Sequence, residues 1–459
     1  ITKMKLNKLY LFFITLGFLS CSEEFTELSP ISQRNAGSFY RTASDMQVGL
    51  NAVYSSLKSN GCYSQSLWIL QELRSDNTQW SGSGLAEEIT VFDVFNEIPT
   101  SPIASDAWID LYQGVSRANI VINRIEKIDV DPAFKNQILG ESLFLRSLFY
   151  YNLAVAFGNV PLVLTETASV KEGQNHTQVS ASVIYAQISE DLVLAEQYLP
   201  NSYSSSSDLG RATKGAASAL LGKIYLTMGD KSKAKTALEN VSGYSLVSDY
   251  NNLWGEENEY NSESIFEVDY KGGLGNQGQS FTNQFNGILA EAVTSGLRNY
   301  PERDLIAAYE TGDKRLSASI EGTTSEVEGW TIKFGKTNSF ADNDAGTNFP
   351  VLRYADVLLM LAEATGESAE AYGYINQVRS RAGLAAIDAS TPGSFNEKLL
   401  HERRVELAFE NHRWADLIRF NVADAKMTAI GKPTRGKLLY PIPQREMNLN
   451  SNFTQNPGH

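Results

Sequence analysis

The chain has 459 residues, 42% apolar and 20% charged, enough to bury a sizeable core and long enough for two or three ordinary domains. Lys and Arg number 39 against 53 Asp and Glu, a net charge of −14, which argues against a nucleic-acid partner because phosphate recognition draws on Lys and Arg. With four His and two Cys, zinc sites and disulfide frameworks are nearly excluded, and no metal or other cofactor is expected. Rings are plentiful instead: 6 Trp, 21 Tyr and 21 Phe.

The first element is a leader. Lys3, Lys5 and Lys8 precede an apolar run from Leu9 to Leu19. Its length, about eleven residues, is too short to span a bilayer and suits a signal-peptide core. Ser20-Cys21 closes the run and looks like a lipobox, with Phe18 where Leu is commonest. Residues 1–20 are therefore expected to be a lipoprotein signal peptide and Cys21 the lipidation site. Cleavage would remove three lysines from the −14 and leave −17. Two or three acyl chains anchor a protein stably, where one does not. Cys62 is then the free thiol, expected as a buried small hydrophobe.

The body reads as mainly helical. Segment 44–58 places Met46, Leu50, Val53, Tyr54 and Leu57 on one face, with Ser44 a candidate N-cap. Segment 105–128 repeats Trp108, Leu111, Tyr112, Val115, Ala118, Ile122 and Ile125 at helical spacing. Segment 138–157 is apolar nearly all round and predicts a buried helix, stopped by Gly158-Asn159. Segment 182–199 is amphipathic and ends at Pro200.

Residues 212–241 carry a tetratricopeptide-like repeat signature in Leu221-Gly222, Tyr225, Gly229, Ala234 and Leu238. Residues 354–382 give a weaker copy with Leu358, Ala362, Gly366, Ala371, Ile375 and Val378. One such pair cannot bury its apolar face alone, so 44–58 with 105–128, and 138–157 with 182–199, are expected to stack on it. Residues 61–104 and 243–350 are rich in Gly, Asn, Ser and aromatics, with short β-like runs at 264–270 and 330–334. Long irregular insertions are usually functional, so these are the expected ligand loops.

The blocks Arg353–Leu359, Ala362–Ala364, Ile375–Arg379, Arg381–Leu384, Glu402–Leu407, His412–Arg419, Tyr440–Met447 and Gln455–Gly458 resemble the SusD/RagB family of surface nutrient-binding lipoproteins. Asp106–Ile125, Glu141–Phe157 with Pro161-Leu162, and Gly210–Thr213 fit as well. Many blocks in the right order make the resemblance specific, though each alone is weak. It implies a mainly α, tetratricopeptide-like helix-pair scaffold with loop-rich insertions and a few short strands, as a single domain over 21–459 with a family signature over 350–459. It implies a lipid-anchored protein on the outer-membrane surface, and Ser22, Glu23 and Glu24 resemble the surface-export signal of Bacteroidota lipoproteins. It implies as partners a glycan and a SusC-like TonB-dependent barrel, over which the protein closes as a lid. No catalysis is implied.

Sugars need an aromatic face for their apolar side and amides or carboxylates for their hydroxyls. Asp76, Asn77 and Trp80 supply these within one expected loop, and Trp330, Tyr270 and Tyr300 in the second insertion are the next candidates. Trp108, Trp254 and Trp414 are assigned to packing. The charged stretch His401–Arg419 reads as helix-locking ion pairs, and His412 as a structural histidine. Two other readings stay open: a helical glycoside hydrolase, needing a carboxylate pair, and a peptide-binding tetratricopeptide scaffold. The chain has no GxSxG, HExxH or P-loop motif to favour the first.

Overall fold

The computed structural model describes residues 39–80, 87–167, 169–275, 277–285, 299–322, 329–335 and 344–459. The leader and Cys21 lie outside the described residues. The longer helices are α1 (Ala43–Ser56), α2 (Pro102–Ile125), α3 (Pro132–Phe157), α4 (Ala181–Tyr198), α5 (Lys214–Thr227), α6 (Lys231–Glu239), α7 (Tyr354–Thr365), α8 (Ala369–Arg381), α9 (Phe395–Glu406) and α10 (Arg413–Arg419). Each packs on the next in an unbroken row from α1 to α8, and α9 lies against α7 and α8. This is the tetratricopeptide-like stack. No helix among the described residues is long and apolar enough to cross a membrane.

Local chemistry sets the helix ends. Thr42, not Ser44, caps α1: its side chain accepts from the Asp45 N–H while Asp45 reaches back, a capping box. Pro102 and Pro132 start α2 and α3 three and six residues before the apolar periodicity does, because proline fits a first helical turn at no hydrogen-bond cost. Gly229 turns the chain between α5 and α6 at φ 79°. Within that pair, a Cβ on Gly222 would stand 2.5 Å from the Leu238 side chain, so only glycine permits the approach.

Among the described residues, the main hydrophobic cluster runs from Met46 to Ile442, with three smaller ones, around Leu358, Trp414 and Tyr250. Polar pins cross it. Arg146 on α3 donates to Asp191 on α4 at 2.8 and 2.9 Å and to Asn119 on α2 at 2.9 Å, joining three helices. Residues 61–79 also enter the core instead of forming an open loop. Leu67, Trp68, Ile69, Leu70 and Leu73 are buried around a π-helical turn at Ile69–Leu73. Cys62 is buried too, and burial pushes its thiol up to about 12.

Among the described residues, eight short strands make four antiparallel pairs: β1 (Thr78–Gln79) with β5 (Tyr300–Pro301), β2 (Val160–Pro161) with β3 (Gln178–Val179), β4 (Ser264–Val268) with β8 (Phe349–Arg353), and β6 (Ile320–Glu321) with β7 (Trp330–Thr331). The β4–β8 pair closes the second insertion on itself, with Ser264 opposite Arg353 and Val268 opposite Phe349.

Beneath the insertions lies a knot of buried charge. Glu406 accepts from Arg353 and Arg381 at 2.5 Å each and from Arg315 at 3.0 Å. Arg353 also meets Glu263 and Glu410, Arg315 meets Glu402 and Asp313, and Lys333 meets Glu410 at 2.6 Å. Burial works against the Glu406 carboxylate, but the three guanidiniums outweigh it and hold it well below its ordinary range. A second group joins Asp356 to Lys223 and Arg403, and Arg403 to Asp416. His412 sits there with its Nδ1 3.0 Å from Lys223 Nζ; burial and that lysine push it down to about 3.

Removing Glu406 should leave three buried guanidiniums short of a partner. Glu406→Gln is expected to cost about 3–5 kcal/mol by urea unfolding; a loss below about 1 kcal/mol would remove the knot's structural role. Acid should also destabilise the fold. Unfolded His412 takes a proton near its ordinary value, about 6.5, while the native ring stays neutral to about 3. Stability should therefore fall as pH drops below about 6.5. Burial opposes ionised Asp416, yet Arg403 and Arg419 lower it to about 2, so its contribution is present above about 3.9 and lost as pH falls through about 2. Asp416→Asn should flatten the curve between about pH 4 and 2; an unchanged curve there would contradict this account.

Candidate functional site

Three of the six ring and polar candidates come together. β1 pairs with β5 so that Gln79 faces Tyr300, and Trp80 follows directly. β5 also lies beside β7, which begins with Trp330. Trp80, Tyr300 and Trp330 thus occupy neighbouring strand ends, each half-buried. Half-burial is what a ring platform needs: one face seated, one face free for a flat ligand. Trp80 seats on the main core. Trp330 lies on Gly322, where φ is 77° and a Cβ would stand 2.4 Å from the indole. The Trp80 and Trp330 Nε1 atoms are buried without a hydrogen-bond acceptor among the described residues.

A lysine holds this group from beneath. Lys432 Nζ donates to Asp93 Oδ1 at 2.5 Å and to the Thr78 carbonyl at 3.3 Å, and pairs with Glu302 Oε1 at 2.6 Å. Asp93 in turn accepts from the Trp80 N–H at 3.1 Å. The Glu302 N–H donates to the Asn77 carbonyl at 2.8 Å, continuing the β1–β5 pairing. Strands of two residues cannot order themselves. One ammonium bonded to three segments fixes where Trp80 and Tyr300 stand.

The other three candidates belong to the interior. Asp76 is 1% exposed and takes a bidentate Arg413 fork at 2.6 and 2.7 Å. Burial alone would raise its carboxyl, but Arg413, with Arg404, holds it well below the usual range. Asn77 donates to Glu72 at 2.9 Å and accepts from Arg404 Nε at 3.0 Å. Glu72 also accepts from the Phe409 N–H at 2.7 Å, and burial raises it to about 7. Tyr270 is 3% exposed, edge-on to Phe281 and under Lys58. Asp76 and Asn77 are therefore corrected from ligand contacts to counter-groups for buried arginines, and Tyr270 to core. Trp108 and Trp414 are buried, and Trp254 packs on Tyr250 and Lys333.

Lys432 was not among the candidates, since a lone lysine in Gly431-Lys432-Pro433 has no helical or strand periodicity to place it. The arrangement offers flat, partly exposed ring surfaces. Such a site suits capture of a weakly charged ligand.

The comparisons agree with this architecture. A family model described as "SusD family" matches residues 319–437, and one described as "Starch-binding associating with outer membrane" matches residues 24–226. A solved "Laminarin binding SusD-like protein" is 30% identical, with a TM-score of 0.81 over 92% of this chain and 100% of its own. A SusD homolog from Bacteroides thetaiotaomicron is 25% identical, with a TM-score of 0.80 over 92% of this chain and 98% of its own. "SusD-like protein P2" of Formosa agariphila is 25% identical over 99% of this chain and 100% of its own. With helix stack, insertions and tail all matched, the chain belongs to the SusD/RagB family, a family of binding proteins and not of enzymes.

Proposed function

We propose that the chain captures a neutral glucan on the face formed by Trp80, Tyr300 and Trp330 and delivers it to a SusC-like TonB-dependent outer-membrane barrel. The observation that carries the reading is the full-length likeness, at 30% identity, to a laminarin-binding SusD-like protein. Three half-buried rings on neighbouring strands support it, because a pyranose presents an apolar face to a ring and hydroxyls to its rim. The net charge of −14 favours a neutral chain over a polyanion. Delivery to the barrel rests on the family alone. The same holds for attachment to the outer-membrane surface through acylated Cys21, with residues 1–20 as its leader and 21–459 as one domain.

Laminarin or starch cast into a native gel should retard the protein. Trp330→Ala and Tyr300→Ala should each weaken binding about tenfold or more, roughly 1.4 kcal/mol, with no change in melting temperature. Retardation that survives both changes moves the site elsewhere, and release of new reducing ends from either glucan would revive the hydrolase reading. In cells of the native type, Cys21→Ala should move the protein from the membrane fraction to the soluble one. Retention in the membrane fraction would exclude the lipid anchor.

A further inference from the structure

We infer that the chain has a second saccharide-binding pocket, separate from the three-ring face, between α2, the segment joining β2 to β3, and the C-terminal tail. The inference deepens the glucan reading above and rests on it. The cavity there has a volume of about 330 Å³. That lies at the lower end of small-molecule sites, about 300–1,000 Å³, and suits a chain end better than a long run of rings.

Its floor is aromatic. The half-buried rings of Tyr112 on α2 and Phe453 of the tail line it, over the buried Trp108, which lies 5.1 Å from Tyr112 and 6.2 Å from Phe453. Its walls are already joined. Tyr112 Oη donates to the Pro161 carbonyl at 2.7 Å, and Asn119 Nδ2 to the Val163 carbonyl at 2.9 Å. The tail is tied across by Asn450 Nδ2 to the His176 carbonyl at 2.6 Å. A pocket held open in this way does not have to be ordered when a ligand enters.

One group points to the ligand's chemistry. His176 lines the cavity, and its Nε2 is buried with no hydrogen-bond partner among the described residues. A buried nitrogen without a partner is unfavourable until a ligand supplies one. A hydroxyl can give or accept a hydrogen bond and so satisfies either tautomer of the ring. The aromatic floor calls for an apolar face on the same ligand. A sugar ring combines both: its C–H face on Tyr112 and Phe453, its hydroxyl edge toward His176. Ser116 and Thr165, both exposed on the rim, add further hydroxyl partners. With two separate sites, one chain can hold a polysaccharide at two points, and the second contact is then intramolecular.

Calorimetry with laminarihexaose on the full chain tests this. The unaltered protein should bind two hexaose molecules per chain. The double variant Tyr300→Ala, Trp330→Ala should keep one. Ser116→Trp, which fills the pocket without removing core packing, should abolish that remaining site, and His176→Ala should weaken it about tenfold without lowering the melting temperature. If Ser116→Trp fails to fold, His176→Ala decides. A one-site isotherm that the double variant abolishes would overturn the second pocket and leave the first reading standing. No binding of hexaose or intact laminarin by the unaltered protein would overturn both.

Discussion

Buried charge in the C-terminal stretch governs how the rest of the chain is arranged. Arg403, Arg404 and Arg413 lie in the interior together with Glu402, Glu406 and Glu410. An unpaired ion in such a place costs several kcal/mol, so each must find a counter-ion. Neighbours on the same helix do not satisfy them. The partners come from elsewhere: Asp76 and Asn77 from the first insertion, Asp304, Arg315 and Lys333 from the second, Arg353 from β8, and Asp356 and Arg381 from the repeat helices. The charged stretch is the junction where three parts of the chain are neutralised together.

That junction explains how irregular segments can present an ordered surface. The strands that carry Trp80, Tyr300 and Trp330 are two residues long and would not persist alone. Below them, Arg404 reaches Asn77, the Asp76 carbonyl and Asp304, and Lys432 reaches Asp93, Thr78 and Glu302. The helical row supplies rigidity, the ion pairs transmit it, and the rings inherit a fixed spacing without being buried. A division of this kind lets loops change their ligand surface while the scaffold stays intact.

The helices were legible because their apolar residues recur at 3.6-residue spacing and their ends carry proline, glycine and capping residues. Gly222 and Ala234 announced the close α5–α6 pair in the same way. Trp330 and Tyr300 could be nominated by residue type, but nothing in the sequence pairs Tyr300 with Gln79. Asp76 and Asn77 were misread for a physical reason. A polar cluster beside a tryptophan has the same composition whether it faces a sugar or neutralises a buried arginine. The difference lies in a partner 337 positions away, Arg413, which local reading cannot supply. The stretch 401–419 balances four arginines with four carboxylates, so its composition gives no sign that Arg413 takes its partner from so far away.

That separation has a consequence for how the molecule is made. Asp76 cannot be neutralised until Arg404 and Arg413 have emerged and met it, so the floor beneath Trp80 forms only near the end of synthesis. Closing so long a loop is slow compared with pairing adjacent helices. The order of assembly is therefore built in: the helical row can condense first, from local contacts, and the ligand-facing surface is set last. Until those final turns arrive, the carboxylate of Asp76 lacks the fork that fixes it, and the strand that leads to Trp80 has no settled place.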